Sequence, residues 1–232
     1  MAPRIPPSAL ADTVLARLTT VYPTGADEHR AGEMFAYMKG VAPFLGIRSP
    51  QRRTLSRVVL DGLARPAEAD VAAVVLRCWR LEEREYHYFA VDYARRYAAQ
   101  CSAAFLQVAR HLVESVSWWD TVDHLAAHVV GPLVAADRDL VAVMDEWIED
   151  EDLWVARTAL LHQLRYKENT DSDRLFSYCL RQSGHPDFFI RKAIGWALRE
   201  YGKTDPGAVR AFVEDERGRL SPLSVREALK HV

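Results

Sequence analysis

A carboxylate and an indole lie one helical turn apart near the middle of the chain. Asp123 follows Trp119 by four residues within the segment 117–123, which reads SWWDTVD. Residues four apart share one face of a helix. A carboxylate fixed beside an aromatic face can stabilise positive charge that develops during a reaction. Asp123 is therefore a candidate catalytic residue, although an ordinary acid beside a core tryptophan would give the same spacing.

Metal and thiol chemistry have weaker signals. His124 and His128 are spaced i, i+4, as zinc ligands on one helix can be, but the sequence HLAAH lacks the Glu that follows the first His in metalloproteases. The three cysteines form no Cys-X-X-Cys pair. We therefore expect no metal site, no cofactor and no disulfide framework, and we interpret the thiols as packing residues in a reducing compartment.

Apolar residues recur at three- and four-residue steps through most of the chain, which is the period of an amphipathic helix. Two examples are the set Phe105, Val108, Ala109, Leu112 and Val116 and the set Leu140, Met144, Trp147 and Ile148. Sustained period-two alternation and hairpin turn pairs are scarce. The sequence therefore predicts an all-α fold.

The predicted helices repeat with a period of about 35 residues. One series begins near residues 67, 102, 137, 171 and 206, and the other begins near 82, 118, 152, 187 and 221. Residues 152–155 (DLWV) align with 187–190 (DFFI), which supports this register. Ordinary helical bundles also alternate short helices, but two helices in about 35 residues are typical of an α-solenoid.

In such a solenoid, residues about 35 apart become lateral neighbours on adjacent helices. This rule predicts an aromatic row of Trp119, Trp154 and Phe189. It also places Thr158 beside Asp123, and Lys192 beside Arg157.

Several helix starts carry N-terminal signals. Ser49 and Ser221 each precede a proline, so each is predicted as an N-cap with proline at the first helical position. Ser117 followed by Asp120 resembles a capping box, with Asp in place of the usual Glu. Asp120 also falls in the first helical turn, where a carboxylate complements the helix dipole.

Positive charge is concentrated in three segments, although the formal charge of the chain is −2. Segments 48–57, 153–167 and 188–203 together hold eleven Lys and Arg residues and one acid, whereas 145–152 (DEWIEDED) holds six acids. Basic inner helices would give the solenoid a concave basic groove suited to a polyanion such as duplex DNA. Solvated helix faces would give the same pattern, so both interpretations stay open at this point.

The chain of 232 residues is long enough for one domain with a sizeable core, since 49% of its residues are apolar. We expect a single domain over residues 1–232, with the first 25 or so residues the least defined by any pattern. No run approaches 18 apolar residues, and the N-terminus has no apolar stretch of signal-peptide length. These features predict a cytoplasmic protein without membrane association.

Long stretches from about residue 30 to the C-terminus are similar to one known family. The two most specific are SWWDTVD at 117–123 and FFIRKAIGWALREY at 188–201. The others are YMK at 37–39, PFLGI at 43–47, PQRR at 50–53, residues 154–167, PLS at 222–224 and REA at 226–228. Through these residues the chain resembles the AlkD family of DNA alkylation repair glycosylases, which are built from HEAT-like repeats.

The resemblance implies a monofunctional glycosylase of base excision repair. Such an enzyme removes cationic N3- and N7-alkylated purines, such as 3-methyladenine and 7-methylguanine, from double-stranded DNA without a deep base-flipping pocket. The catalytic acid of the family matches Asp123, and the arginine beside the acid matches Arg157. The aromatic residues that flank the lesion match Trp119 and Trp196. The residues expected to contact DNA are Tyr37, Arg52, Arg53, Arg191, Lys192 and Arg199.

A catalytically silent HEAT-repeat module that binds DNA or protein is the alternative function. Helical repeats are common scaffolds, and a fold alone does not determine a function. The presence of Asp123 together with Trp119 and Trp196 favours catalysis. With either function we expect a monomer, and we expect it to be associated with the nucleoid when it is bound to DNA.

Overall fold

A computed structural model of the protein describes residues 3–230, and within this range the regular secondary structure is entirely helical. The α-helices are α1 (Ala9–Val21), α2 (Glu28–Tyr37), α3 (Ser49–Leu60), α4 (Glu68–Cys78), α5 (Arg84–Tyr97), α6 (Phe105–Glu114), α7 (Trp119–Leu125), α8 (Gly131–Ala136), α9 (Leu140–Trp147), α10 (Leu153–Leu161), α11 (Ser172–Arg181), α12 (Phe188–Tyr201), α13 (Pro206–Asp215) and α14 (Pro222–Ala228). A π-helical turn at Ala126–Val130 joins α7 to α8. The predicted all-α fold is confirmed.

The predicted 35-residue spacing of helix starts is confirmed as well. The starts of α4, α6, α9, α11 and α13, and those of α5, α7, α10, α12 and α14, lie within three residues of the two predicted series. One helix is shorter than expected. The basic segment 153–167 is helical only to Leu161, and a separate 3-10 turn follows at Lys167–Asn169.

The N-terminal signals are confirmed in part. Ser221 caps α14 by accepting a hydrogen bond from the Ser224 N–H. The prediction for Ser49 is wrong, because α3 begins one residue earlier and Arg48 takes the extended cap conformation without a side-chain bond. The capping box at Ser117 is also wrong, since its hydroxyl donates to the Val113 carbonyl at the end of α6.

The chain divides into two compact units, an N-terminal unit that ends at Thr121 and a C-terminal unit that begins at Val122. In the N-terminal unit, α1 packs on α3 and α4, and α4 packs on α5 and α6. The loop before α3 is fixed by the buried carboxylate of Glu85, which accepts the N–H groups of Leu45, Gly46 and Ile47 at 2.8–2.9 Å. Gly46 has φ +85° there, a conformation that favours glycine.

In the C-terminal unit, α12 packs against both α10 and α14, while α11 and α13 contact the same row of helices. Contacts between each helix and the second one along the chain are the packing of an α-solenoid. That the chain forms a concave basic groove stays a prediction, as does its organisation as one domain.

Two further findings concern residues 3–230 only. None of the helices in this range combines the length and the apolarity that crossing a membrane would require. No group of three or more His, Cys, Asp or Glu side chains in the same range is arranged to hold a metal ion.

Candidate functional site

The carboxylate of Asp123 is held by an arginine from the next repeat. Asp123 lies on α7, and Arg157 lies on α10. Nε and Nη2 of Arg157 donate to Oδ1 and Oδ2 of Asp123 at 2.7 and 2.9 Å, a bidentate charge-assisted pair. The side chain of Asp123 keeps 11% of its surface exposed, and that of Arg157 keeps 4%. The acid and the arginine that the resemblance implies are therefore in direct contact, and part of the acid is open to solvent.

Arg157 is itself fixed by α12. Its Nη1 donates to the backbone carbonyl of Phe189 on α12, and its guanidinium carbon lies 5.9 Å from the centroid of the Phe189 ring. The rings of Trp154 and Phe189 have centroids 5.1 Å apart, so this part of the predicted aromatic row is confirmed. The arginine is thus held at three of its nitrogen atoms before any ligand binds.

Trp196 lies half-buried on α12, two turns beyond Phe189. Gly195 beside it permits a close approach of α14, because a Cβ at position 195 would lie 2.5 Å from the Cβ of Glu227 and 2.8 Å from the Ser224 carbonyl oxygen. Ser224 Oγ also donates to the Arg191 carbonyl at 2.8 Å. The C-terminal helix therefore braces the helix that carries Trp196.

Two cations predicted to contact DNA share one acid. Lys192 Nζ lies 2.8 Å from Oε1 of Glu227, and Arg199 Nη1 donates to Oε2 at 2.7 Å. The hydrogen bonds from Lys192 and Arg199 lower the pKa of Glu227 to about 2. The three side chains together therefore carry one positive charge, which is less than the sequence of α12 alone suggests.

The other predicted residue of α12, Arg191, lies on the first turn and is half-buried, with its Nε 3.3 Å from the Asp187 carbonyl. In the N-terminal unit, Trp119 is the first residue of α7 and is half-buried. Tyr37 ends α2 with 73% of its surface exposed. An aromatic side chain so exposed is available for a ligand.

The two adjacent arginines of α3 differ in their surroundings. Arg52 is buried and donates to Asp92 on α5 at 2.6 Å, so its charge is already balanced. Arg53 is exposed and lines a surface depression of about 270 Å³. Two more exposed arginines, Arg57 and Arg96, line the same depression above an apolar floor that includes Phe89. Of the two arginines, Arg53 therefore has the guanidinium that is open to a ligand.

Sequence reasoning missed two charged residues that organise these elements. Glu227 pairs with two cations of α12, and Arg84 forms a buried pair with Asp120 at the start of α7. Arg84 and Asp120 are 36 residues apart, and Asp123 and Arg157 are 34 apart. Opposite charges about one repeat apart are the signal that could have identified Arg84.

The histidines and cysteines noted in the sequence lie in different surroundings. The rings of His124 and His128 stack with centroids 5.8 Å apart. Cys78 and Cys179 are fully buried, and burial raises the pKa of both thiols. A raised pKa keeps a thiol protonated and unreactive.

The arrangement around Asp123 suits one kind of chemistry. Its carboxylate is oriented in advance, is partly accessible and shares the C-terminal unit with an indole and several cations. A preorganised negative charge of this kind stabilises positive charge that develops on a bound ligand.

Two comparisons with known proteins found matches described as DNA alkylation repair enzymes. The chain matches a family model described as DNA alkylation repair enzyme over residues 20–232. It is also similar to a solved structure described as a predicted DNA alkylation repair enzyme from Enterococcus faecalis, with 32% sequence identity and a TM-score of 0.82, over 89% of this chain and 96% of that chain. The comparison with curated proteins found no match.

Proposed function

Because this chain belongs to the family of DNA alkylation repair enzymes, we propose that it is a monofunctional DNA glycosylase. It hydrolyses the N-glycosidic bond of cationic N3- and N7-alkylated purines in duplex DNA, such as 3-methyladenine and 7-methylguanine, as the first step of base excision repair. The observation that carries this proposal is the bidentate Asp123–Arg157 pair, in which a nearly buried carboxylate keeps an accessible edge.

The chemistry explains why one carboxylate suffices. A purine alkylated at N3 or N7 already carries a positive charge, so it leaves as a neutral base when the bond from C1′ breaks and the electron pair goes to the base. No proton donor is needed at that step. The deoxyribose becomes oxocarbenium-like, and a water molecule then attacks C1′ and releases a proton to the solvent, which leaves a hydroxyl group on C1′. Asp123 stabilises the sugar cation and orients the attacking water, as carboxylates do in glycoside hydrolysis.

Arg157 acts by holding the carboxylate. Its planar fork matches both oxygens of Asp123, and its third contact, to the Phe189 carbonyl, fixes the fork to α12. Asp123 therefore keeps its orientation as the substrate changes its charge. An electrostatic stabiliser works best when it does not have to reorganise during the reaction.

Trp119 and Trp196 each contact the damaged nucleotide, and Tyr37 contacts the DNA. Indole faces attract cations and pack against the apolar edge of a sugar. The enzyme senses the cationic nucleotide from its backbone side and does not enclose the base in a deep pocket. Bulky alkyl groups on the base are therefore tolerated.

The cations outside the Asp123–Arg157 pair hold the phosphate backbone and fix its register without reading its sequence. Arg53, Arg191, Lys192 and Arg199 take this role. Arg52 contributes only if DNA displaces Asp92, because the two side chains are paired 2.6 Å apart.

The test is base release from duplex DNA that carries a single defined lesion, under single-turnover conditions. Wild type should release 7-methylguanine and 3-methyladenine far faster than the neutral bases uracil and hypoxanthine. Asp123→Asn should slow release by about 100- to 1,000-fold, which is the loss typical of removing one such stabilising group. Asp215→Asn, a change at an exposed acid on α13, is the matched control and should leave the rate unchanged.

Three results would contradict the proposal. Rates for Asp123→Asn within threefold of wild type would remove Asp123 from the reaction. Binding of duplex DNA without release of any base would instead identify the chain as a binding module. Comparable rates on uracil would show that an acid takes part and that the proposed mechanism is wrong.

A further inference from the structure

Arg84 of α5 is the most unusual buried residue of the N-terminal unit, because a whole guanidinium lies at 1% exposure. Its Nε and Nη2 donate to Oδ2 and Oδ1 of Asp120 at 3.1 and 2.6 Å. Nη2 also donates to Thr121 Oγ1 at 3.0 Å, and Nη1 donates to the Val116 carbonyl at 2.7 Å. Four of its five N–H donors are therefore used on the turn before α7 and on the first turn of that helix.

The fifth donor is directed at His87. Nε2 of this ring lies 2.9 Å from the Leu81 carbonyl, which can only accept, so the ring proton is on Nε2. Nδ1 is then the acceptor for Arg84 Nη1, 3.3 Å away. Burial, aided by the charge of Arg84, lowers the pKa of His87 to about 4, so the ring is neutral near pH 7. All five donors of Arg84 thus have an acceptor.

The contacts of Arg84 lie on both sides of Trp119. Before it, Val116 has φ +50°, a strained conformation for a β-branched residue, and Arg84 holds its carbonyl. After it, Asp120 is held by Arg84 and also by Tyr88, whose hydroxyl donates to Oδ2 at 2.6 Å. Thr121 Oγ1 accepts from Arg84 and donates to the Trp118 carbonyl at 3.3 Å, which carries the network to the peptide preceding Trp119.

A buried ion pair is a poor way to gain stability, because apolar side chains of similar size often stabilise a core as well or better. A guanidinium whose five N–H donors all have acceptors instead fixes the geometry of the groups around it. We propose that Arg84 is a positioning residue that sets the orientation of Trp119 for the reaction. This inference rests on the proposed function, in which Trp119 flanks the alkylated nucleotide.

The first test is a double-mutant cycle on single-turnover release of 7-methylguanine. Arg84→Lys keeps the charge but removes the fork, and it should slow release by about 10- to 100-fold, as small misplacements of catalytic geometry do. In a Trp119→Ala background, the same change should have less than a twofold further effect. In a Trp196→Ala background, which removes an indole in the C-terminal unit, it should keep its full effect.

Arg77→Lys is the matched control, because it alters another Arg–Asp pair of the N-terminal unit, with Asp12. It should leave the rate within twofold of wild type. A purely structural role of Arg84 would slow release equally in the Trp119→Ala and Trp196→Ala backgrounds. That additivity would overturn the proposal.

The second test does not depend on activity. In protein labelled with 5-fluorotryptophan, the ¹⁹F resonance of Trp119 is the one lost in Trp119→Phe, and that of Trp196 is assigned in the same way. Arg84→Lys should shift or broaden the Trp119 resonance and leave that of Trp196 in place. An unchanged Trp119 resonance would overturn the proposal. If wild type releases no base, the proposed function fails, and this measurement still decides whether Arg84 positions Trp119.

Tyr88→Phe covers the case in which Arg84→Lys does not fold. It removes a single hydrogen bond to Asp120 and should give the same pattern in both tests with a smaller effect. Circular dichroism and a cooperative thermal transition establish folding for each variant. If neither variant folds, the network serves folding alone, and the proposal is wrong.

Discussion

Both carboxylate oxygens of Asp123 accept hydrogen bonds from Arg157, which lies 34 residues later in the chain. Many structural contacts of the chain span nearly the same interval. Tyr166 donates to the Gly131 carbonyl 35 residues earlier, and Trp79 donates to the Ser115 carbonyl 36 residues later. The candidate catalytic pair therefore uses the same lateral spacing that joins one repeat to the next, so its geometry depends on the register between neighbouring helix pairs.

Arg157→Lys should separate geometry from charge at this pair. Lysine keeps the positive charge but cannot form two parallel hydrogen bonds to Asp123 and a third bond to the Phe189 carbonyl. Single-turnover release of 7-methylguanine should fall by about 10- to 100-fold, while the Kd for undamaged duplex changes little. Arg174→Lys alters the Arg174–Asp145 pair of the same unit and serves as control. Equal losses in the two variants would mean that ion pairs of this unit matter only for folding.

Glu227→Gln should strengthen DNA binding. The change removes the negative charge shared by Lys192 and Arg199, which leaves both cations available to phosphates. Binding of undamaged duplex should become tighter, and the slope of log K against log salt should steepen by about 0.9 for each additional phosphate that the protein neutralises. Glu216→Gln is the control, because it removes one negative charge beside Arg219, just after α13. Identical slopes for the two variants would show that net charge alone is responsible.

The depression on the N-terminal unit should contribute to backbone binding. Arg53, Arg57 and Arg96 line it, and its acid, Asp92, is paired with Arg52. Changing the three lining arginines to Gln should reduce the salt slope by about 0.9 for each phosphate that is no longer neutralised. Release of 7-methylguanine at saturating enzyme should stay near the wild-type rate. Arg210→Gln, at an exposed position of α13, is the control. If the triple variant and Arg210→Gln had the same salt slope, the assignment would be contradicted.

Stability should fall as the pH drops from about 6.5 towards 4. Burial lowers the pKa of His162 to about 4, so the unfolded chain binds a proton in this window that the folded protein does not. His162 therefore does not lower the free energy of unfolding above pH 6.5. As the pH falls through this window the free energy of unfolding decreases, by about 3 kcal/mol in total for a pKa shift of this size. Urea unfolding at pH 7, 5.5 and 4.5 should therefore show a smaller pH dependence in His162→Gln than in wild type.

His29→Gln provides the comparison, because His29 is exposed on α2. Its unfolding curves should follow those of wild type at each pH. A pH dependence that is the same in His162→Gln and wild type would show that His162 does not remain neutral in the folded protein.

The sequence predicts the helices well because the signals for helix starts are local. The apolar period and the cap at Ser221 involve residues only a few positions apart, and the structure has the expected bond at this cap. Ser49 shows the limit of such signals, since a proline next to a serine is compatible with a start at either residue.

The partners of the charged residues could not be predicted in the same way. The charges along 188–203 are neighbours in sequence, whereas the acid that pairs with Lys192 and Arg199 is Glu227 on α14. The position of Asp120 in the first turn of α7 suits the helix dipole. The sequence of that helix does not show that Arg84 of α5 donates two hydrogen bonds to the Asp120 carboxylate. The sequence singles out Asp123 as a candidate because its own segment carries both the acid and the indole.

The near-constant spacing of these lateral bonds has a consequence for folding kinetics. The pairs Arg84–Asp120, Asp123–Arg157 and Arg199–Glu227 close chain loops of 36, 34 and 28 residues. The entropy lost on closing a loop changes slowly with its length, so these closures cost nearly the same. None of these three closures requires a more distant part of the chain, so assembly of the repeats that they join can begin at any one of them and extend to its neighbours.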